Sequence, residues 1–254
     1  MTKLSVTIIT FNEEKNIGRC LASVKKVADE IIVVDSFSTD RTKEICLAHN
    51  VIFIENPFPG YIEQKNFALS KASNIYVLSL DADEALSEKL AASVAKEKEE
   101  DFRADGYTMN RFNFYCGQWI NHGTYYPDRK LRLVNIQKGK WDGQNPHDKI
   151  IMQEDAVVKQ LKGDLLHYTY QTPEEHARKM EKFSEIAAQA LFNKGEKPSG
   201  SKKIVNPAWA FVKGYFIKFG FLDGAAGFRI AKFTARQSYL KYKKLIQLYK
   251  ETKK

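Results

Sequence analysis

Four short apolar runs, each followed by a segment of helix length or a turn, occupy the first 80 residues: Leu4–Thr10 (LSVTIIT), Glu30–Val34 (EIIVV), Val51–Glu55 and Ile75–Leu80. Runs this short and this rich in strand formers suit strands buried on both faces. The spacing predicts helices over about 15–27, 41–50 and 61–72, with the Pro57/Pro59/Gly60 turn closing the third strand. Strands alternating with helices of this length form right-handed βαβ units on a parallel sheet. The chain is therefore expected to be α/β, a Rossmann-like, mostly parallel sheet with flanking helices.

The early strands end in polar side chains: Thr10, Asn12 and Glu13 after the first, Asp35 after the second, and Asp81, Asp83 and Glu84 after the fourth. Open parallel sheets bind ligands at the carboxyl ends of their strands, so these ends describe a nucleotide pocket. Neither G-x-G-x-x-G nor G-x-x-x-x-G-K-[ST] is present, and the phosphates would have to be held by a metal. Asp81 and Asp83, two apart, can face one side of an extended segment and hold a hard divalent cation. The same acids also suit the first turn of a helix over 85–100. Spacing alone leaves both readings open.

The net charge of +9 is a property of the tail, since residues 202–254 hold 13 Lys/Arg and two acids, Asp223 and Glu251. Residues 1–201 hold 27 basic and 29 acidic side chains, which argues against a nucleic-acid enzyme with a basic groove. Three widely spaced cysteines (Cys20, Cys46, Cys116) fit a reduced, cytoplasmic setting. The start runs straight into a strand pattern, so no signal peptide is expected, and no apolar run reaches the roughly 18–20 residues of a membrane span.

TIITFNEEKNI, IIVVDSFSTDRT, QKNFAL (Gln64–Leu69) and VLSLDADE together resemble family 2 glycosyltransferases of the GT-A fold, and in particular the small bacterial enzymes that glycosylate lipopolysaccharide inner core. NHGTYYPDRKLRL (Asn121–Leu133), NPHDKI (Asn145–Ile150), LLHYTY (Leu165–Tyr170) and GFLDGAAGF (Gly220–Phe228) extend the resemblance over nearly the whole chain. It implies a catalytic domain over 1–193, with a nucleotide-sugar half to about 105 and an acceptor half over about 106–170. A basic, aromatic-rich helical tail follows over 202–254.

The resemblance carries Thr10 and Glu13 to nucleotide contact, and Asp35 to reading the base through the ring N–H of uracil. Lys65 stands where a cation approaches the diphosphate, although a lysine on an amphipathic helix is usually solvated. Asp81 and Asp83 match the D-x-D that holds Mg²⁺ or Mn²⁺ on the diphosphate of a UDP-sugar, where the ion neutralises charge on the leaving group. Asp148 occupies the position of the base that takes the acceptor hydroxyl's proton. Relatives usually carry Glu there, and Asp128 is the substitute candidate. His167 and His147 could complete the metal or diphosphate site. Trp119 and Tyr126, in an aromatic-rich stretch, suit sugar rings, and Arg129 and Arg132 suit a phosphorylated core sugar. A strand with solvent-facing basic residues explains the two arginines equally.

Thr172-Pro173-Glu174-Glu175 reads as the start of a helix to about Asn193, followed by a linker over 194–203. Beyond it, aromatic residues interleave with cations at helical spacing, the pattern of an interfacial helix pair on an anionic membrane; a helix packed on the catalytic domain fits as well. The reading that results is an inverting, metal-dependent hexosyltransferase, peripheral on the inner face of the cytoplasmic membrane. It would move glucose from UDP-glucose to a lipid-linked saccharide, with no nucleic-acid partner. A polyprenyl-phosphate glycosyltransferase and a non-catalytic nucleotide-sugar-binding membrane adaptor are the rivals.

Overall fold

Strand register explains how residues far apart in the sequence reach one edge. The computed structural model describes residues 2–144 and 147–252. Strand β1 (Leu4–Thr10) lies between β2 (Glu30–Asp35) and β4 (Tyr76–Asp81), parallel to both, and β2 pairs in parallel with β3 (Ile52–Glu55). Thr10 stands opposite Asp35, and Ile9 opposite Asp81. Three polar strand ends therefore share one edge, as alternating βα units require.

The intervening helices are α1 (Ile17–Val24), α2 (Thr42–Ala48) and α3 (Tyr61–Ser70). Helix α1 buries Ile17, Cys20, Leu21 and Val24, the i, i+3, i+4, i+7 stripe of a helix laid on a sheet. Helix α3 instead buries Gln64 and Lys65 along with Ala68 and Leu69, and those two polar residues belong to the site described below.

The expected helix over 85–100 is a correction. Glu84–Leu86 forms β5, antiparallel to β11 (Val158–Tyr170), and only then does α4 (Glu88–Glu99) begin, capped by Ser87 accepting from Leu90 N at 3.2 Å. The acids at 81–84 are thus not a helix start. Their side chains are held between strands, because Ala85 and Leu86 are buried in the pairing with β11. The sheet continues from β4 through β8 (Asp128–Asn135), β6 (Gly106–Tyr115), β11 and β5, with β7 (Gln118–Trp119) beside β6. Strands β9 (Gly139–Gln144) and β10 (His147–Met152) make a separate antiparallel pair. This mixed sheet with flanking helices is the α/β, GT-A arrangement expected.

The chain divides into two compact units, one of residues 1–111 and 129–168, the other of 112–128 and 169–254. In the second, α5 (Pro173–Asn193) begins as its sequence predicts: Thr172 accepts from Glu175 N at 3.2 Å, and the Glu175 carboxylate reaches back to Gln171 N at 2.8 Å. Helix α6 (Lys202–Val212) passes through a π turn (Lys213–Ile217) and a 3₁₀ turn (Gly220–Asp223) into α7 (Gly224–Glu251). Helix α5 packs with α7, where Lys244 bonds the Glu181 carbonyl at 2.9 Å and Phe192 meets Tyr249 edge-on. The expected linker ends at Ser201, two residues before its sequence boundary.

The NHGT and GFLDGAAGF motifs turn out to be two sides of one clasp. Asp223 accepts from the backbone N–H of Asn121 (3.1 Å) and His122 (2.8 Å) and pairs with His122 Nδ1 at 3.2 Å. Backbones meet there so closely that a Cβ on Gly227 would lie 1.8 Å from the Gly220 carbonyl oxygen. Gly227→Ala should therefore lower stability by roughly 2 kcal/mol or more, read as a lower urea midpoint. A second test uses His176, which is buried, stacked on Tyr170 at 4.2 Å and bonded to Tyr115 Oη at 3.1 Å. Burial pulls its imidazole down to about 4. The folded chain then binds fewer protons than the unfolded chain between that value and about 6.5, so stability falls as pH drops through this window. Between pH 7.5 and 5.5 the loss should be about 1 kcal/mol, and His176→Phe should remove that share of the slope.

Candidate functional site

Helix α3 organises the site with three consecutive polar side chains, each tying down a different segment. Gln64 donates to Ser36 Oγ (3.1 Å) and accepts from Asn56 Nδ2 (2.8 Å), fastening the loops after β2 and β3. Asn66 donates to the Trp141 carbonyl (2.8 Å) and accepts from Trp141 N (3.0 Å), fastening the β9–β10 pair. Between them Lys65, 3% exposed, puts its ammonium 2.7 Å from Asp148 Oδ2 and 3.0 Å from Asp81 Oδ1. The expectation of a solvated lysine is corrected, because a helix whose Gln and Asn neighbours are both spoken for turns Lys65 into the sheet edge. Trp141 covers it, its ring centroid 4.2 Å from Nζ and its Nε1 bonded to Ser79 Oγ at 3.1 Å.

Arg132 closes the network from β8. It is 5% exposed, and its guanidinium bonds Glu84 Oε1 at 2.8 Å and Oε2 at 3.2 Å, and Asp81 Oδ2 at 3.3 Å. Glu84 is fully buried; it also accepts from Asp81 N at 3.1 Å and lies 3.7 Å from Arg111. Burial pushes the Asp81 carboxyl up, but Lys65 and Arg132 pull harder and hold it well below the usual carboxylate range. Burial likewise lowers Arg132, and Glu84 and Asp81 more than reverse that, so it stays a cation. Asp81 and Glu84 thus have their charge balanced within the protein by Lys65, Arg132 and Arg111. The basic strand facing solvent holds for Arg129, which is exposed, and fails for Arg132.

Asp83 faces another partner. The β5–β11 register sets His167 opposite Glu84, and His167 Nε2 lies 3.5 Å from Asp83 Oδ2, while Tyr168 N donates to the Asp83 carbonyl at 3.0 Å. A carboxylate oxygen, which suits a hard cation such as Mg²⁺ or Mn²⁺, thus stands beside an imidazole nitrogen, which suits a transition metal. Asp81 Oδ1 adds a buried oxygen that, though close to Lys65, receives no directed hydrogen bond. Among the described residues no group of three His, Cys, Asp or Glu is arranged to hold a metal, so Asp83 and His167 could supply only part of a coordination shell. Asn145, Pro146 and the His147 side chain lie outside the described residues.

Toward β1 and β2 the edge carries two buried polar side chains and two exposed rings. Asp35 is buried and accepts from Ser38 N (2.7 Å) and Ser38 Oγ (2.5 Å). Thr10 is buried beside it with no partner for Oγ1. Asn12 takes a positive φ of 53° and locks the two loops together through Ser38 and Thr39. Phe37 also has a positive φ, 62°, which is unusual for a bulky residue, and both its ring and that of Phe11 are exposed. Glu13 accepts from Asn16 Nδ2 at 2.7 Å at the head of α1.

The second unit holds the remaining candidates. Trp119 stacks on Phe112 with ring centroids 4.7 Å apart, and Tyr126 meets Phe112 edge-on at 5.1 Å, so both belong to one half-buried aromatic cluster. Asp128 begins β8 directly after the cis Tyr126–Pro127 bond. Sequence reasoning passed over Glu84 as a buried anchor, and over Arg111, Trp141, Gln64 and Asn66. The signal was present in QKNFAL, where three adjacent polar residues on one helix are too many to face a single solvent stripe.

An α/β sheet with a D-x-D at the carboxyl edge of its fourth strand is the architecture of GT-A glycosyltransferases. Residues 5–160 match the family described as glycosyl transferase family 2, and the chain belongs to that family. It is 31% identical to an uncharacterized glycosyltransferase of Rickettsia typhi, over 98% of this chain and 88% of that protein. It is 30% identical to the lipopolysaccharide core biosynthesis glycosyltransferase LpsC of Rhizobium meliloti, over 96% of this chain and 92% of the relative. Among solved structures, S. aureus TarS 1–349 in complex with UDP-GlcNAc covers 97% of this chain and 92% of its own at 16% identity and a TM-score of 0.47.

The network predicts a stability phenotype. Arg132→Met leaves Glu84 and Asp81 buried with fewer cations and should cost about 3–5 kcal/mol, read from urea unfolding. A loss under about 1 kcal/mol would show that Arg111 and Lys65 suffice without it.

Proposed function

We propose that this glycosyltransferase is inverting and metal-dependent and transfers a hexose, glucose from UDP-glucose, to a lipid-linked acceptor such as lipopolysaccharide inner core. The observation that carries this is the pairing of Asp83 with His167 beside the Asp81–Lys65–Asp148 cluster, on the edge that also holds Thr10 and Asp35. Support for the acceptor comes from the name of the Rhizobium relative. No helix among the described residues is long and apolar enough to cross a membrane, and we place the enzyme peripherally on the inner face of the cytoplasmic membrane, where such an acceptor is exposed.

The geometry supports the following roles. Asp35, its two oxygens aligned by Ser38, accepts the ring N–H of the base, the free Thr10 hydroxyl bonds the nucleoside, and the exposed Phe11 and Phe37 rings flank it. Asp83 and His167 would hold a divalent ion, which would supply neutralisation of the charge developing on the departing diphosphate. Asp81 is held by Lys65 and Arg132 and positions that segment. Asp148 takes the proton of the acceptor hydroxyl as it attacks the anomeric carbon, and Lys65 at 2.7 Å fixes its carboxylate. Trp119 and Tyr126 offer ring faces and Arg129 a cation to the acceptor; Asp128 is the alternative base.

The test is donor binding and slow donor hydrolysis with a panel of UDP-, GDP- and ADP-sugars, in Mn²⁺, in Mg²⁺ and in chelator. One donor should be turned over only with metal. Asp83→Ala should abolish this, and Asp148→Asn should lower transfer by roughly 10²- to 10⁴-fold while leaving donor affinity nearly unchanged. Metal-dependent binding without turnover of any acceptor would favour the adaptor reading. Equal activity of Asp83→Ala and the native chain would sink the assignment.

A further inference from the structure

We propose that α6 and the two turns after it form an interfacial wedge that seats the enzyme on an anionic lipid surface. This deepens the membrane placement above and rests on it. Helix α6 contains no buried residue. Val205, Trp209, Val212 and Phe216 follow at spacings of 4, 3 and 4, which puts them on one helical stripe, and all four are exposed, Trp209 to 57%. The stripe is continued by Ile217, Phe219, Phe221 and Leu222, each at least 44% exposed. This is a contiguous run of large apolar side chains on one short segment, unlike the scattered exposed residues of an ordinary surface.

The backbone is built to keep them out. Phe219 has φ 58°, the left-handed region, so the chain turns sharply where its ring projects. On the inner side Gly214, Gly220 and Gly227 pack backbone to backbone, and Gly123 N donates to the Lys218 carbonyl at 2.8 Å. With glycines on the inner side, the exposed rings of Phe216, Phe219 and Phe221 meet one another or Phe211 and Tyr215 along the outer face. The turn is also rigid, being pinned by Asp223 to Asn121 and His122.

Charge selects the occupant. Lys213 and Lys218 are exposed along the same segment, Lys202 at its start is paired with Glu196, and no acid stands among residues 202–222. A protein groove or a second copy of this chain would have to bury these lysines or pair them, and the second copy's matching face is equally basic. A bilayer with acidic headgroups takes the rings below the headgroup level and leaves the ammonium groups at it.

Co-sedimentation of the full chain with phosphatidylcholine vesicles and with vesicles containing phosphatidylglycerol tests this, with donor hydrolysis measured on the same samples. Binding to the anionic vesicles is expected, with a blue shift of the tryptophan emission that Trp209→Ser removes. Trp209→Ser with Phe216→Ser and Leu222→Ser should abolish binding to both vesicle types and leave donor hydrolysis unchanged. Lys213→Gln with Lys218→Gln should weaken anionic binding roughly tenfold and leave neutral vesicles unaffected. Circular dichroism confirms that both variants fold. A native chain that stays in the supernatant, or a serine variant that sediments like it, overturns the wedge. So does light scattering that shows a dimer lost in the serine variant, which would assign the face to a second copy. Hydrolysis without vesicle binding refutes the wedge alone, and vesicle binding without hydrolysis refutes the catalytic reading alone.

Discussion

The bidentate pairing of Arg132 with Glu84, extended through Asp81 to Lys65 and Asp148, is the interaction on which the first unit depends. It joins β8, β5, the end of β4, α3 and β10, five segments that no single hydrophobic contact links. Taking these ions out of water costs several kcal/mol each, and their attraction roughly offsets that. The net gain in stability is therefore small. The gain in position is large, because a planar guanidinium and a short lysine contact tolerate few arrangements.

Position is what a transferase needs at this edge. Electrostatic catalysis works best when charged groups are already oriented before the substrate arrives. Here Trp141 shields Lys65 and Arg132 from water on one side, with its ring 4.2 and 5.1 Å from their charged atoms. Gln64 and Asn66 hold the neighbouring loops, so a single helix turn sets the relative placement of the D-x-D, Asp148 and the Trp141 hairpin. Asp83 is not absorbed into this cluster; it is paired with His167 from β11.

The second unit obeys a different rule. Its core is an ordinary one of Tyr115, Ile120, Ala226 and Ile230, but at the corner between α6 and α7 the tight contacts are between glycine backbones and around Asp223, while Trp209, Phe216 and Leu222 stay exposed. A motif such as GFLDGAAGF, read at first as part of a family resemblance, is in physical terms a close-packed corner fastened by one carboxylate.

Local chemistry determined what the sequence shows by itself. The four strand runs, three of them buried and β3 left half exposed at the sheet edge, the helices between them, the cap of α5 by Thr172 and the polar ends at Thr10, Asp35 and Asp81 all follow from periodicity and residue type within a dozen positions. The basic, aromatic tail was legible for the same reason. What only the tertiary structure decided depends on partners distant in the chain. Glu84–Leu86 is a strand because β11 pairs with it, against a helical pattern that begins there. Lys65 and Arg132 are buried because carboxylates 16 and 48 residues away compensate them. Asp81 and Asp83 look alike in the sequence and differ in the fold, since one meets two cations and the other a histidine. Periodicity records which face of an element is apolar, but it carries no record of which element lies across from it, and the charge of a site is set by what lies across.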